Sequence, residues 1–167
     1  MKNTKKILSL ISVLVLVIMT AVTAFAVEDM PRLVDNAGLL SESEKAELLD
    51  KLDTISERQE ADVVIVTVNS LDGKTPMEYA DDFYDYNGYG YGTSHDGILL
   101  LISMADRDWW MTATGYGQVA FTKAGREYIS EQFLPALSNG EYAEAFTVFA
   151  ELCDDFFTQA SKGEPYD

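Results

Sequence analysis

Residues Asp62–Val68 read DVVIVTV, a β-branched run with apolar side chains at odd and even positions alike. A strand has two faces, so a run of this kind must be covered on both, the usual state in a parallel sheet. A second such run, ILLLI at 98–102, follows after one helical segment. The turn at 105–108 is too short for the crossover a parallel return needs, so 109–114 is expected as an antiparallel neighbour. With helices before, between and after these strands, the chain reads as α/β: a three-layer α/β/α sandwich with a small mixed central sheet.

The helices announce themselves through their first turns. Ser41-Glu42-Ser43-Glu44 is a capping box ahead of a helix to about Gln59, with Ala46, Leu48, Leu49, Leu52 and Ile55 on its apolar face. Thr75-Pro76-Met77-Glu78 combines a cap, proline at the first position and glutamate at the third, opening a helix to about Asn87 that buries Met77, Ala80, Phe83 and Tyr84. Thr122 is expected to cap a third helix over 123–133, stopped by Pro135. Ser138-Asn139-Gly140-Glu141 reads as another capping box, before a final helix with Tyr142, Ala145, Phe146, Phe149, Leu152, Phe156 and Phe157 inward. The closing SKGEPYD is expected to fray.

Residues 1–26 are set apart from this pattern. Lys2, Lys5 and Lys6 precede an apolar stretch at 7–19, and Ala24-Phe25-Ala26 fits a small-x-small cleavage site. That is the pattern of a secretory signal peptide, leaving 27–167 as a single α/β/α domain. The alternative is an uncleaved anchor, since 7–27 approaches the roughly 20 residues of a membrane span. Export to a secreted or extracytoplasmic location is expected, with membrane attachment only through an uncleaved leader. No cysteine lies near position 26, so a lipid-modified start is not indicated.

Of twelve basic residues three belong to the leader, so nine face 28 acidic ones in the remainder. Such a surface repels phosphate backbones, which excludes a nucleic-acid role. Cys153 is the only cysteine, so no disulfide framework holds the domain. Flanked by Leu152, Phe156 and Phe157, it reads as a buried apolar residue.

The order of several short motifs is that of a known family. Asp35-Asn36-Ala37-Gly38-Leu39-Leu40-Ser41 before a helix, the VVIVTV strand, Asp96-Gly97 leading into 98–102, then Asp106-Arg107 and Gly115-Tyr116-Gly117 together resemble the TPM domain family. The resemblance runs over roughly 33–157. It implies a compact α/β/α fold outside the cytoplasm, like the thylakoid lumen and exported bacterial members. It also implies calcium or another divalent metal in some members, and acid phosphatase activity in some. Two features depart from it: the sequence stops at Asp167 without the transmembrane helix and glycine-rich tail of many bacterial relatives, and Thr122-Lys123 stands where relatives often carry an acid.

For such a cation site the candidate ligands are Asp35, Asp96 and Asp106, each at a turn beside a strand. Calcium takes six to eight oxygens, and glycine-rich loops supply carbonyls readily. Asp96 and Asp106 flank one strand, however, and at about 3.3 Å per residue a straight strand holds them roughly 20 Å apart. Two acidic sites are therefore as consistent with the sequence as one. Each aspartate also has a purely local reading, an Asx-turn at Asp35, turn chemistry at Asp96 and a solvated hairpin tip at Asp106-Arg107-Asp108.

Arg107 is the candidate substrate-binding residue, because its planar fork matches phosphate oxygens. No catalytic residue can be named. His95 is the only histidine, and its neighbours Ser94 and Asp96 cannot turn toward it as a triad requires. Tyr84, Tyr86, Tyr89 and Tyr91 suit a carbohydrate- or peptide-binding loop, or its internal packing. Adjacent in a strand, Trp109 and Trp110 face opposite sides. Two functions follow: a calcium-binding envelope or assembly module acting on envelope proteins, or a metal-dependent acid phosphatase in which the cation polarises a phosphoryl oxygen.

Overall fold

The computed structural model describes residues 30–166, so the leader expected at 1–26 lies outside the described residues. Four strands form one sheet in the order β1 (Leu33–Asp35), β2 (Asp62–Val68), β3 (Gly97–Ser103) and β4 (Asp108–Thr114). The first three are parallel, and β4 runs antiparallel to β3 in unbroken register from Gly97↔Thr114 to Ser103↔Asp108. The expected mixed sheet is therefore present. All seven residues of β2 and of β3 are buried, as their double-faced apolar pattern requires.

Alternation divides these strands between two cores. Val63, Ile65, Ile98 and Leu100 point to the side covered by α1 (Glu42–Gln59), by α4 (Lys123–Asn139) and by α5 (Tyr142–Ser161). Val64, Val66, Leu99 and Leu101 point the other way, onto Ala80 and Tyr84 of α2 (Pro76–Tyr86). This is the three-layer sandwich, thick on one face and a single helix on the other. Because β1, β2 and β3 are laid down in one direction while α1 and α2 cover opposite faces, the two crossovers have opposite hands. One of them departs from the usual right-handed connection.

Both early capping boxes form: Ser41 accepts from Glu44 N and Thr75 from Glu78 N, while each glutamate reaches back to its cap. Beyond Thr114 three expectations need correction, those for Pro135, Ser138 and the C-terminal residues, while the expected Thr122 cap forms. Gly117–Ala120 makes one short helical turn, α3, before Thr122 caps α4 by accepting from Gly125 N. Pro135 does not stop α4, which continues to Asn139. The proline costs the Glu131 carbonyl its amide partner, but both residues are on the solvent side, where water can take its place. Phe133 and Ala136, buried on the opposite side, hold the helix in line.

Consequently Ser138 is not a cap. Gly140, at φ 81°, ends α4 in the left-handed conformation, and α5 starts from Glu141 with no side-chain cap. The C-terminal residues do not simply fray either: Tyr166 stacks on Phe156 at 5.2 Å, lies 5.0 Å from Tyr128, and accepts at its carbonyl from Thr122 Oγ1. On α2, Met77 was expected inside but is 48% exposed.

Candidate functional site

The three candidate ligands do not meet. Asp35 pairs with Thr67 near the C-terminal end of β2, and Asp106 follows Ser103, the last residue of β3. Asp96 precedes Gly97, at the other end of β3, where Gly97 stands opposite Asp62. A seven-residue strand separates it from Asp106, about 20 Å at the usual rise. Asp35 and Asp106 share an end of the sheet, but Asp35 ends β1 and Asp106 lies in the turn after β3, and these strands flank β2 at two strand spacings, roughly 10 Å apart.

Each carboxylate has work of its own. The Asp35 side chain is only 2% exposed and accepts from Thr67 Oγ1, from Leu39 N and Leu40 N at 3.0 Å each, with Lys45 Nζ 3.6 Å away. Burial by itself raises its pKa, but the bonds from Thr67, Leu39 and Leu40, with the Lys45 charge, more than offset this and hold it below the usual value. Asp106 accepts from Ser103 Oγ at 2.7 Å and Leu71 N at 2.9 Å, which lowers its pKa and ties the β3–β4 turn to the β2–α2 loop. Asp96 Oδ1 accepts from Tyr116 N. Gly115 lies beside that bond at φ 57°, and a Cβ there would strike Asp96 Oδ1 and the Ser94 carbonyl.

As a donor set these three do not fit one divalent cation. They are split between opposite ends of a strand, and Asp35 is saturated by donors with an ammonium group beside it. Among the described residues no group of three acidic, histidine or cysteine side chains is arranged to hold a metal. Arg107 is exposed at the hairpin tip with φ 53°, next to Asp106 in sequence.

The tyrosine loop is held by a network that the sequence did not disclose. Arg32 bridges Asp53 of α1 and Asp62 of β2, both at 2.8 Å, and the other Asp62 oxygen accepts from Gly90 N at 2.7 Å. Tyr84 and Tyr89 are buried beneath the loop, donating to the carbonyls of His95 at 3.1 Å and Pro31 at 2.8 Å. Burial, reinforced by the Asp62 charge, pushes the Tyr89 phenol up to about 12. His95 is exposed at φ 53°, with Nδ1 3.3 Å from the Tyr89 carbonyl. The loop is thus ordered from within. Tyr86 and Tyr91 remain outward, at 83% and 42% exposure.

A broad concavity lies elsewhere, along β4. A cleft of about 1140 Å³ has this edge strand as its floor. Met77 and Asp81 of α2 with Trp110 form one wall, and Phe121, Lys123 and Arg126 the other. Trp109 turns inward to meet Phe133 edge-on at 5.6 Å, whereas Trp110 is 40% exposed toward α2. Thr112 Oγ1 donates to Asp81 Oδ1 at 2.6 Å, tying α2 to the strand. No sequence signal pointed to this surface, because its walls come from segments distant in sequence.

Comparison with known proteins agrees with the fold. The family model described as the TPM domain matches residues 33–155. The UPF0603 protein YdjH of Bacillus subtilis (strain 168) is 26% identical over 149 residues, covering 89% of this chain, which spans only 57% of that relative's length. Among solved structures, the N-terminal domain of a P. gingivalis protein superimposes with TM-score 0.67 at 20% identity, over 84% of this chain and 90% of that one. The BA42 protein of the psychrophilic bacterium Bizionia argentinensis gives TM-score 0.64 at 11% identity, over 77% and 86%. At these identities the structural likeness concerns the fold alone.

Proposed function

The chain belongs to the TPM domain family, and from that premise we propose that it is a noncatalytic binding or assembly module working outside the cytoplasm through the cleft along β4. The observation that carries this reading is the contrast between the two candidate surfaces. The carboxylates of Asp35, Asp96 and Asp106 are engaged in holding turns, while the cleft offers half-exposed Met77 and Trp110 beside an edge strand. Export rests on the leader at 1–26, and envelope proteins are the partners that such a location offers. Calcium stays outside this reading, because the donors do not converge.

Covalent catalysis would need a nucleophile and its base. Cys153 is fully buried, its thiol pushed up by burial and by Asp154. The exposed His95 ring has a backbone carbonyl as its neighbour. For the acid phosphatase reading, Asp106 and Arg107 at the hairpin tip are the residues to test. The purified chain, given a chromogenic phosphomonoester with calcium or magnesium, is expected to match Asp106→Asn and Arg107→Ala in turnover. Turnover well above both variants would restore the phosphatase. Export is checked by N-terminal sequencing of the secreted protein, expected to begin at Val27.

A further inference from the structure

Among the described residues β4 is an edge of the sheet, with β3 as its one strand neighbour. Alternate residues of such a strand turn their backbone N–H and C=O away from the sheet, a template for another strand. Trp109, whose N–H donates to Asp108 Oδ1 at 2.9 Å, belongs to that outward set. By alternation the set continues at Met111 and Ala113. Edge strands are commonly blunted by proline, lysine, a bulge or short length. Here DWWMTAT contains neither proline nor lysine, pairs one-to-one with β3 and runs for seven residues.

The flanks leave room for a strand. α2 rises on one face of the sheet and α4 on the other, and the cleft between them follows β4 along its length. A strand lying there would place alternate side chains against Met77 and Trp110 on one side, and against the half-buried Trp109 and the stems of Lys123 and Arg126 on the other. Charge is graded along it: Asp108 begins β4, whereas Lys123 and Arg126 flank its far end, where α4 begins. Lys123 is 87% exposed, its nearest acid being Glu127 at 3.7 Å.

We propose that β4 and this cleft receive an extended peptide segment of a second protein by strand addition. The segment carries apolar side chains at alternate positions, a basic residue at the Asp108 end and an acidic residue at the Lys123–Arg126 end. Backbone pairing supplies the affinity and the two walls read the side chains, as in other cases of β-augmentation. A second copy of the chain is the poorer occupant, because two molecules each of formal charge −16 repel. The inference rests on the binding-module reading and adds the class of ligand.

The test selects nine-residue peptides from a displayed library against the intact chain, then measures an enriched peptide by fluorescence anisotropy and residue-resolved amide exchange. Expected are alternating apolar sequences with opposite charges at their ends, and slowed exchange at Trp109, Met111 and Ala113. N-methylation of alternate peptide amides should weaken binding at least tenfold, since it removes donors while keeping side chains. Ala113→Pro, which removes one outward N–H at an edge position that tolerates proline, should weaken it similarly. Met77→Lys, an exposed change that leaves the backbone intact, keeps the test valid if the proline variant fails to fold, and should also weaken binding.

Equal affinity of the N-methylated peptide, protection confined to the tyrosine loop, or no enrichment overturns the proposal. So does concentration-dependent protection of β4 in the chain alone, which would make a second copy the occupant. Phosphomonoester turnover by the same preparation separates the two readings. Turnover alongside β4 protection refutes the noncatalytic reading and leaves strand addition standing, whereas neither turnover nor protection refutes strand addition alone.

Discussion

Replacing Asp35 by alanine removes the acceptor of three donors at once: Leu39 N, Leu40 N and Thr67 Oγ1. Hydrogen bonds to a charged group contribute roughly 1.5–3 kcal/mol each, and an orphaned buried donor costs about 1–3 kcal/mol. The three share one carboxylate and are not additive. Leu39 is also half-exposed, so water can reach its amide after truncation. A loss of about 3–4 kcal/mol is therefore expected, a large part of the roughly 5–15 kcal/mol that stabilises a domain. Asp35→Asn keeps one acceptor but turns an NH₂ toward a backbone donor, and should cost about 2 kcal/mol.

Urea denaturation measures both variants, as a shift in midpoint at unchanged slope. The pH dependence supplies a second check. Asp35 has a native pKa below its unfolded value, so its contribution is present above the unfolded pKa and is lost as pH falls through the native one. The gap between wild type and Asp35→Asn should therefore narrow below about pH 4. If Asp35→Ala proves as stable as wild type in metal-free buffer, the carboxylate is not a structural tie and the argument about all three turns fails.

Other consequences follow from the buried ion network and the irregular helix. Arg32→Met strips Asp62 of its cation while leaving that carboxylate 12% exposed, and should cost roughly 3 kcal/mol in urea denaturation, with faster amide exchange at Gly90. Pro135→Ala restores a donor for the Glu131 carbonyl, and is expected to raise stability by about 1 kcal/mol after the unfolded chain's added freedom is counted. A melting-temperature rise of roughly 3 °C would report it.

What was legible in the sequence depended on how local its cause was. DVVIVTV and ILLLI declared buried strands because the pattern itself states that both faces are covered. Ser41 and Thr75 marked helix starts because a capping box closes within four residues. Pro135 and Ser138 misled for the complementary reason. Their local preference for ending and starting a helix was overridden by Phe133 and Ala136 packing inward, with the unbonded carbonyl left to solvent. Tyr166 was missed because what docks it, Phe156, Tyr128 and the Thr122 hydroxyl, lies on two other helices.

For the candidate site, the sequence placed Asp96 and Asp106 correctly at opposite ends of one strand. Arg32 with its two aspartates was invisible, because the partners are brought together only by α1 lying against the sheet. The cleft was invisible too: that β4 is an edge follows from sheet order, not from its seven residues.

Melting the chain across a calcium titration decides whether these carboxylates hold turns or bind a cation. A cation bound to the native state alone stabilises by about 2.7 kcal/mol at a hundred times its dissociation constant. For a domain of this size that corresponds to a rise of roughly 8 °C. The same melting temperature is expected in millimolar calcium, in magnesium and in chelator. A rise with calcium that disappears in Asp106→Asn or Asp96→Asn would contradict the turn-holding role.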